Sequence, residues 1–412
     1  MFEYSNAIFL LLVILFSLFV FVEQKIRGYG FSINFLILLF GFLYSIGPLL
    51  SDENIPNAIY LSLSLAFSIF ACVLSSMLTS ELILKENRRE IAYFRINDKV
   101  KYGVLFFSIL SLFLFVYVVI IKIGVIEFFL TSRSMRTSYT RSFSHLMLFR
   151  DLACAVAAFS LLCYCVNKKS FYKKTWLFLC SLMVIYSILT ISRAQLVAAI
   201  FPSLFILSYF GYIKTYLVNL VIGVGIFIAL IWKWLLSTLI FSESFSFDKF
   251  SISVPSELYQ WAIITNDVKN EPLLLGTSFL DAFISFIHPF YDTVPLSIWY
   301  VNKFEPIVAE AGGGRGFSLF SESILNFGFI GVPVVFALLG VFLGILSYLS
   351  RKYVFAIYIT AVTMPYLYKI FRSEFLSITK TWWWFYVIPI IFVIFFSKVV
   401  IVRDKHVKKN KI

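Results

Sequence analysis

Arg315, Ser318, Glu322 and Asn326 are spaced i, i+3, i+7 and i+11, and a glycine-rich stretch, Gly312-Gly313-Gly314-Arg315-Gly316, leads into them. On a helix that spacing puts all four on one face. The segment turns apolar from Phe327 onward, so the polar face stands where the chain enters lipid. A carboxylate and a guanidinium kept at such a boundary are expensive and point to function. Arg315 suits a forked grip on an anion. Glu322 is the candidate base or hydroxyl acceptor, with Ser318 and Asn326 orienting. The glycines let backbone approach a ligand closely. The competing reading is a polar helix start in which Arg315 pairs with Glu322.

Other residues invite the same question. Lys369 and Arg372 are one helical turn apart and can clamp an anion, or complement a helix C-terminus. Arg133, Arg136, Tyr139, Arg141 and His145 form a basic, aromatic stretch. It suits anion binding at Arg136 or, as an amphipathic helix, rest on anionic headgroups. Arg193 lies between two apolar runs with only Ser192 and Gln195 as polar neighbours, which suggests a ligand cavity. His288, before Pro289, can act as a base near neutral pH. Glu257 opens a short lid-like segment, Ser256 to Trp261. Gly340 and Gly344 read as close helix packing, and Trp382, Trp383 and Trp384 as an interfacial belt.

The elements that must position these residues are membrane helices. Of the 412 residues 60% are hydrophobic and 14% charged, with mean hydropathy +0.91. That balance excludes a soluble domain and implies an all-α, polytopic integral membrane protein, 1–412, folded as a single membrane-embedded domain. About eleven spans are expected, near 7–22, 31–50, 58–82, 102–121, 147–166, 175–191, 195–213, 216–236, 327–349, 353–370 and 382–401. The first run lacks the flanks of a cleaved signal. The five cysteines lie in apolar runs, and with three histidines no metal or other cofactor is expected. The net charge of +13 is dispersed in short loops, so nucleic acid is not an expected partner.

Lysine-rich loops at 85–101, 168–174 and 405–411 fall on one side, read as cytoplasmic. The N-terminus then lies outside and the C-terminus inside. Two long connections, 122–146 and 237–326, are external, the second with short helices. Seven of the thirteen arginines (133, 136, 141, 150, 193, 315 and 372) fall on the outer face, where an anionic ligand would explain them.

The run Gly316-Phe-Ser318-Leu-Phe-Ser-Glu322-Ser-Ile-Leu-Asn326-Phe-Gly328-Phe-Ile-Gly331, with Arg372-Ser-Glu374 beyond the next span and an isolated Arg193, resembles the Wzy-type O-antigen and oligosaccharide repeat-unit polymerases. The resemblance implies a glycosyltransferase-C-like bundle in the bacterial inner membrane, with the N-terminus periplasmic. It implies metal-independent transfer of a growing glycan from undecaprenyl pyrophosphate to the next lipid-linked repeat unit at the outer face. Its partners would be those lipid-linked glycans, membrane lipid and a chain-length regulator protein. Glu322, Arg315 and His288 are then the catalytic candidates. Arg136, Arg193, Arg372, Lys369, Ser318, Asn326 and Glu257 are the substrate-binding ones. An O-antigen ligase, centred on His288, and a lipid-linked oligosaccharide flippase are the alternatives. The long 237–326 connection and the lack of a repeat weigh against the flippase.

Overall fold

The computed structural model describes the chain except for residues 1, 28–30, 52, 84–92, 96–98, 118–148, 191–192, 215–216, 219, 226–255, 289–290, 311–314, 398–399 and 403–412. Apolar stretches of roughly span length become helices wherever they are described. These are α1 (Phe2–Arg27), α2 (Ile33–Leu50), α3 (Ala58–Ile83), α4 (Val100–Val116), α5 (Phe149–Asn167), α6 (Ser170–Thr190) and α7 (Arg193–Tyr209). After the long connection come α8 (Gln260–Val268), α9 (Thr277–Ile287), α10 (Leu296–Phe304) and α11 (Pro306–Glu310). The chain then forms α12 (Leu319–Lys352), α13 (Val354–Leu367), α14 (Phe375–Thr381) and α15 (Ile388–Phe396). Among the described residues, five segments are long and apolar enough to cross a membrane: 33–50, 58–80, 319–352, 354–371 and 375–396. The last joins α14 to α15 through a π-helical stretch, Trp382–Val387. The span expected at 216–236 lies largely outside the described residues.

One feature departs from an all-helical chain. Tyr93–Arg95 pairs antiparallel with Val400–Val402. This ribbon joins the 83–99 connection to the C-terminal segment, two stretches that the lysine pattern placed on the same side.

The chain divides into two compact units. The first comprises 1–81, 213–345 and 366–380, and the second 82–212, 346–365 and 381–412. In the second, the phenol of Tyr386 donates to Asp151 at 3.3 Å and that of Tyr358 donates to the Tyr386 carbonyl at 2.7 Å. Buried hydroxyls need such partners in an apolar interior.

In the first unit, Gly340 and Gly344 allow α12 to lie against α3. A Cβ on Gly340 would stand 2.0 Å from the Cys72 carbonyl oxygen, and one on Gly344 2.6 Å from that of Ser76. The small-residue spacing is thus a packing device. The start of α8 packs against α2, with the Trp261 indole donating to the Tyr44 carbonyl at 3.2 Å. The Tyr259 hydroxyl donates to Glu53 at 2.8 Å, and the Asn266 amide to the Pro56 carbonyl at 2.8 Å. A small core of Ile264, Val268, Tyr300, Val301, Phe317 and Leu325 holds α8, α10 and the start of α12 together.

Candidate functional site

The site grows from the first turns of α12. Ser318 precedes the helix, and its Oγ accepts from the Ser321 backbone N–H at 3.0 Å, the bond of a helix cap. Ten residues later the helix breaks. Gly328 has φ 70° and ψ −172°, a conformation essentially reserved for glycine. A break at this point leaves the carbonyls of the preceding turn without helical donors. The Leu274 N–H donates to the Leu325 carbonyl at 3.0 Å, and the Leu275 N–H to that of Asn326 at 3.1 Å. Leu275 and Gly276 adopt positive φ to make this fit. The segment before α9 therefore clasps the short first section of α12.

Polar side chains then fix three helix starts, whose N–H groups have no partner within their own helix. The Glu322 carboxylate, fully buried, accepts from the Phe375 N–H of α14 at 2.7 Å and from the Ser278 hydroxyl at 2.6 Å. Asn326, also buried, accepts from the Gly276 N–H at 2.9 Å ahead of α9. Its amide donates to Ser278 Oγ and to the Glu322 carbonyl, each at 2.8 Å. Glu374 accepts from the Ser297 N–H of α10 at 2.8 Å, from the Ser297 hydroxyl at 3.2 Å and from the Ser377 hydroxyl at 2.6 Å. Charge-assisted bonds of this kind contribute roughly 1.5–3 kcal/mol each.

These residues wall a cavity of about 180 Å³, lined by Leu274, Thr277, Ser278, Asp281, Thr293, Val294, Leu296, Glu322, Glu374 and Leu376. Three of the ten are carboxylates, three carry hydroxyls and four are aliphatic. Asp281 differs from the two glutamates. It is half-buried, and among the described residues its oxygens accept only from hydroxyls, Tyr291 at 3.2 Å and Thr293 at 3.0 Å. That bond and the charge of Asp281 hold the Tyr291 phenol above its ordinary pKa, so Tyr291 stays a donor. Beside the cavity, burial and the hydrogen bond to Asp267 push the Tyr300 phenol up as well.

The sequence candidates fare unevenly. Glu322 and Asn326 meet as expected on one face. Arg315 does not share that face, because α12 begins only at Leu319. Its guanidinium pairs with Glu305 at 2.6 Å, not with Glu322, and is 42% exposed. Gly316 packs so closely on the Arg372 carbonyl that a Cβ there would stand 2.4 Å from its oxygen. The two arginines singled out as anion ligands are thereby brought together at the backbone, although 57 residues apart. Among the described residues the Arg372 side chain has no hydrogen-bonding or ionic partner. Lys369 begins a 3₁₀ turn and holds its ammonium 4.5 Å from the Tyr366 ring centroid.

His288 is exposed at the end of α9, and neither it nor Glu257 lines the cavity. Arg136 and its aromatic neighbours lie outside the described residues, as does the Arg193 side chain. Ser278, Asp281, Thr293 and Ser297 escaped the sequence reading, and Glu374 was noticed only within Arg372-Ser-Glu374. The signal for α9 was present: Ser278, Asp281 and Ser285 recur at i, i+3 and i+7 within a stretch otherwise apolar.

Among the described residues, five segments long and apolar enough to cross a membrane, with a small cavity bordered by Asp281, Glu322 and Glu374, fit a multi-pass membrane protein. Residues 271–404 match the family model for O-antigen polysaccharide polymerase Wzy, which supports placing the chain with the Wzy-type polymerases. The match spans about a third of the chain and contains the whole cavity lining. Neither the curated proteins nor the solved structures give a match.

Proposed function

We propose that the chain polymerises oligosaccharide repeat units carried on a lipid diphosphate, undecaprenyl pyrophosphate, by glycosyl transfer at the outer face of the bacterial inner membrane. The observation that carries this reading is the buried Glu322 on the wall of a small cavity, inside the region matched by the polymerase family. At about 180 Å³ the cavity is smaller than the roughly 300–1,000 Å³ of drug-sized pockets, which suits one sugar residue of the acceptor. An acceptor hydroxyl attacks the anomeric carbon of the donor, the bond to the diphosphate breaks, and the lipid diphosphate leaves. The hydroxyl proton goes to Glu322, directly or through Ser278, whose Oγ already donates to Glu322. Arg315 and Arg372, whose backbones approach at Gly316, take the charge of the departing diphosphate. Ser318 and Asn326 hold the helix section that carries Glu322. Lys369, Arg136, Arg193 and Glu257 remain substrate contacts of this proposal, His288 a reserve base, and a chain-length regulator a protein partner.

A second base is supported by one observation. Asp281 lines the same cavity, is less buried than Glu322, and among the described residues has only hydroxyl partners. Glu322→Gln and Asp281→Asn, assayed side by side on lipid-linked repeat units, separate the two. The variant that keeps its fold and loses extension identifies the base, and full activity in both would remove carboxylate catalysis from the proposal.

A further inference from the structure

α9 is amphipathic in the wrong sense for a helix in water. Its inward positions are small or polar: Ser278 is 9% exposed, and Ala282 and Ser285 are fully buried. Its outward stripe is apolar, with Leu280 58%, Phe283 62% and Ile287 86% exposed, at i, i+3 and i+7. Such a contiguous apolar face on the outside of a protein marks a surface that something covers.

What covers it follows from where α9 is fixed. Its first turn is pinned to α12 at the start of that helix's membrane-spanning part. Phe279 stacks on Phe327 with centroids 5.9 Å apart and planes 1° from parallel. The Asn326 side chain holds the Gly276 N–H. Directly beyond Phe327, α12 turns its own apolar side chains outward: Ile330 is 84% exposed, Val334 55% and Leu338 65%. In a span of that hydropathy these side chains face lipid. The outward stripe of α9 is thus tethered where the lipid-facing surface of α12 begins. An eleven-residue helix is too short to cross a bilayer, for which roughly 20 residues are needed, but suits a position in the interface plane.

We infer that α9 lies in the membrane surface, with bilayer acyl chains covering Leu280, Phe283 and Ile287, and with Ser278 and Asp281 on its other side forming the cavity wall. The cavity then stands at headgroup depth, where the diphosphate of a lipid-linked sugar resides. That last step rests on the polymerase reading, whereas the position of α9 does not.

The test uses the whole protein reconstituted in phosphatidylethanolamine and phosphatidylglycerol vesicles. A bimane label is placed at Phe283→Cys and, separately, at Ile287→Cys. Four of the five native cysteines are buried and Cys180 is half-buried, so the introduced thiols label first. Ile330→Cys, on the span, and Asn302→Cys, exposed on α10, serve as lipid and water references. The expected result is loss of emission with brominated acyl chains at 283 and 287, as at 330, and protection from aqueous iodide. Quenching by iodide, as at 302, or by neither agent, as a protein cover would give, overturns the inference. Label depth is read whether or not the protein extends glycan, so a lipid-quenched label on an inactive protein would count against the polymerase reading alone.

Discussion

Replacing Glu322 by glutamine separates the two jobs its carboxylate does. The isostere can keep its oxygen toward the Phe375 N–H, which lies 2.7 Å from Glu322 Oε2. Its new amide can donate to Ser278 Oγ, now 2.6 Å from Oε1. Ser278 Oγ would then accept from this amide and from Asn326, and turn its own proton toward the cavity. Geometry survives, and the structural loss is the charge assistance on two hydrogen bonds. Neutral bonds contribute about 0.5–1.5 kcal/mol against about 1.5–3 for charged ones, so a loss of roughly 2–3 kcal/mol in all is expected. Removing a positioned base costs about 10²–10⁴-fold in rate, or roughly 3–5 kcal/mol of barrier at 1.36 kcal/mol per tenfold. Glu322→Ala behaves differently, because it strands the Phe375 N–H and opens the contact to α14, so it should express poorly. Glu322→Asp keeps the charge on a shorter arm and should be slow but measurable. The assay is the initial rate of chain extension on lipid-linked repeat units in vesicles, with thermal unfolding followed on the same samples. A Glu322→Gln protein that extends chains at the wild-type rate refutes the base assignment and leaves Glu322 as a helix cap.

Further consequences follow from the backbone and the charges. Gly328→Ala puts a side chain at φ 70° and ψ −172°, at a cost of about 1–3 kcal/mol, and should loosen the clasp between α12 and the segment before α9, seen as a lower unfolding temperature with reduced extension. Gly316→Ala places a methyl 2.4 Å from the Arg372 carbonyl oxygen, so it should separate Arg315 from Arg372 and lower extension more than stability. Arg315→Ala removes an exposed pair with Glu305 that contributes about 0–1 kcal/mol. Unfolding should hardly change while extension falls. Arg372→Lys should restore less than full activity, since a point charge does not replace a fork. Unchanged rates in both arginine variants would remove them from the anion site. Reporter fusions at Lys269 and Lys409 should read opposite sides of the membrane, and a shared side would contradict the lysine-derived orientation.

The helices were legible because membrane spans announce themselves by continuous apolarity, and the break near Ser192-Arg193 was visible as a polar interruption between α6 and α7. The face shared by Glu322 and Asn326 was legible because both lie inside one helix. Arg315 was misplaced because helical spacing was extended through Ser318, which caps the helix instead of continuing it. Ser278 and Glu374 were harder to see for a different reason. Their partners lie 44 residues away for Ser278 to Glu322 and 77 for Glu374 to Ser297, and the polar spacing within α9 does not report which residues it meets.

The central claim is that this chain joins lipid-linked repeat units to one another. The purified protein in vesicles, given only undecaprenyl-diphosphate-linked repeat units, should consume the single-repeat species and yield a ladder of longer lipid-linked glycans. A single-repeat species that persists, but moves onto added lipid A core or crosses to the other leaflet unchanged, would contradict it in favour of a ligase or a flippase.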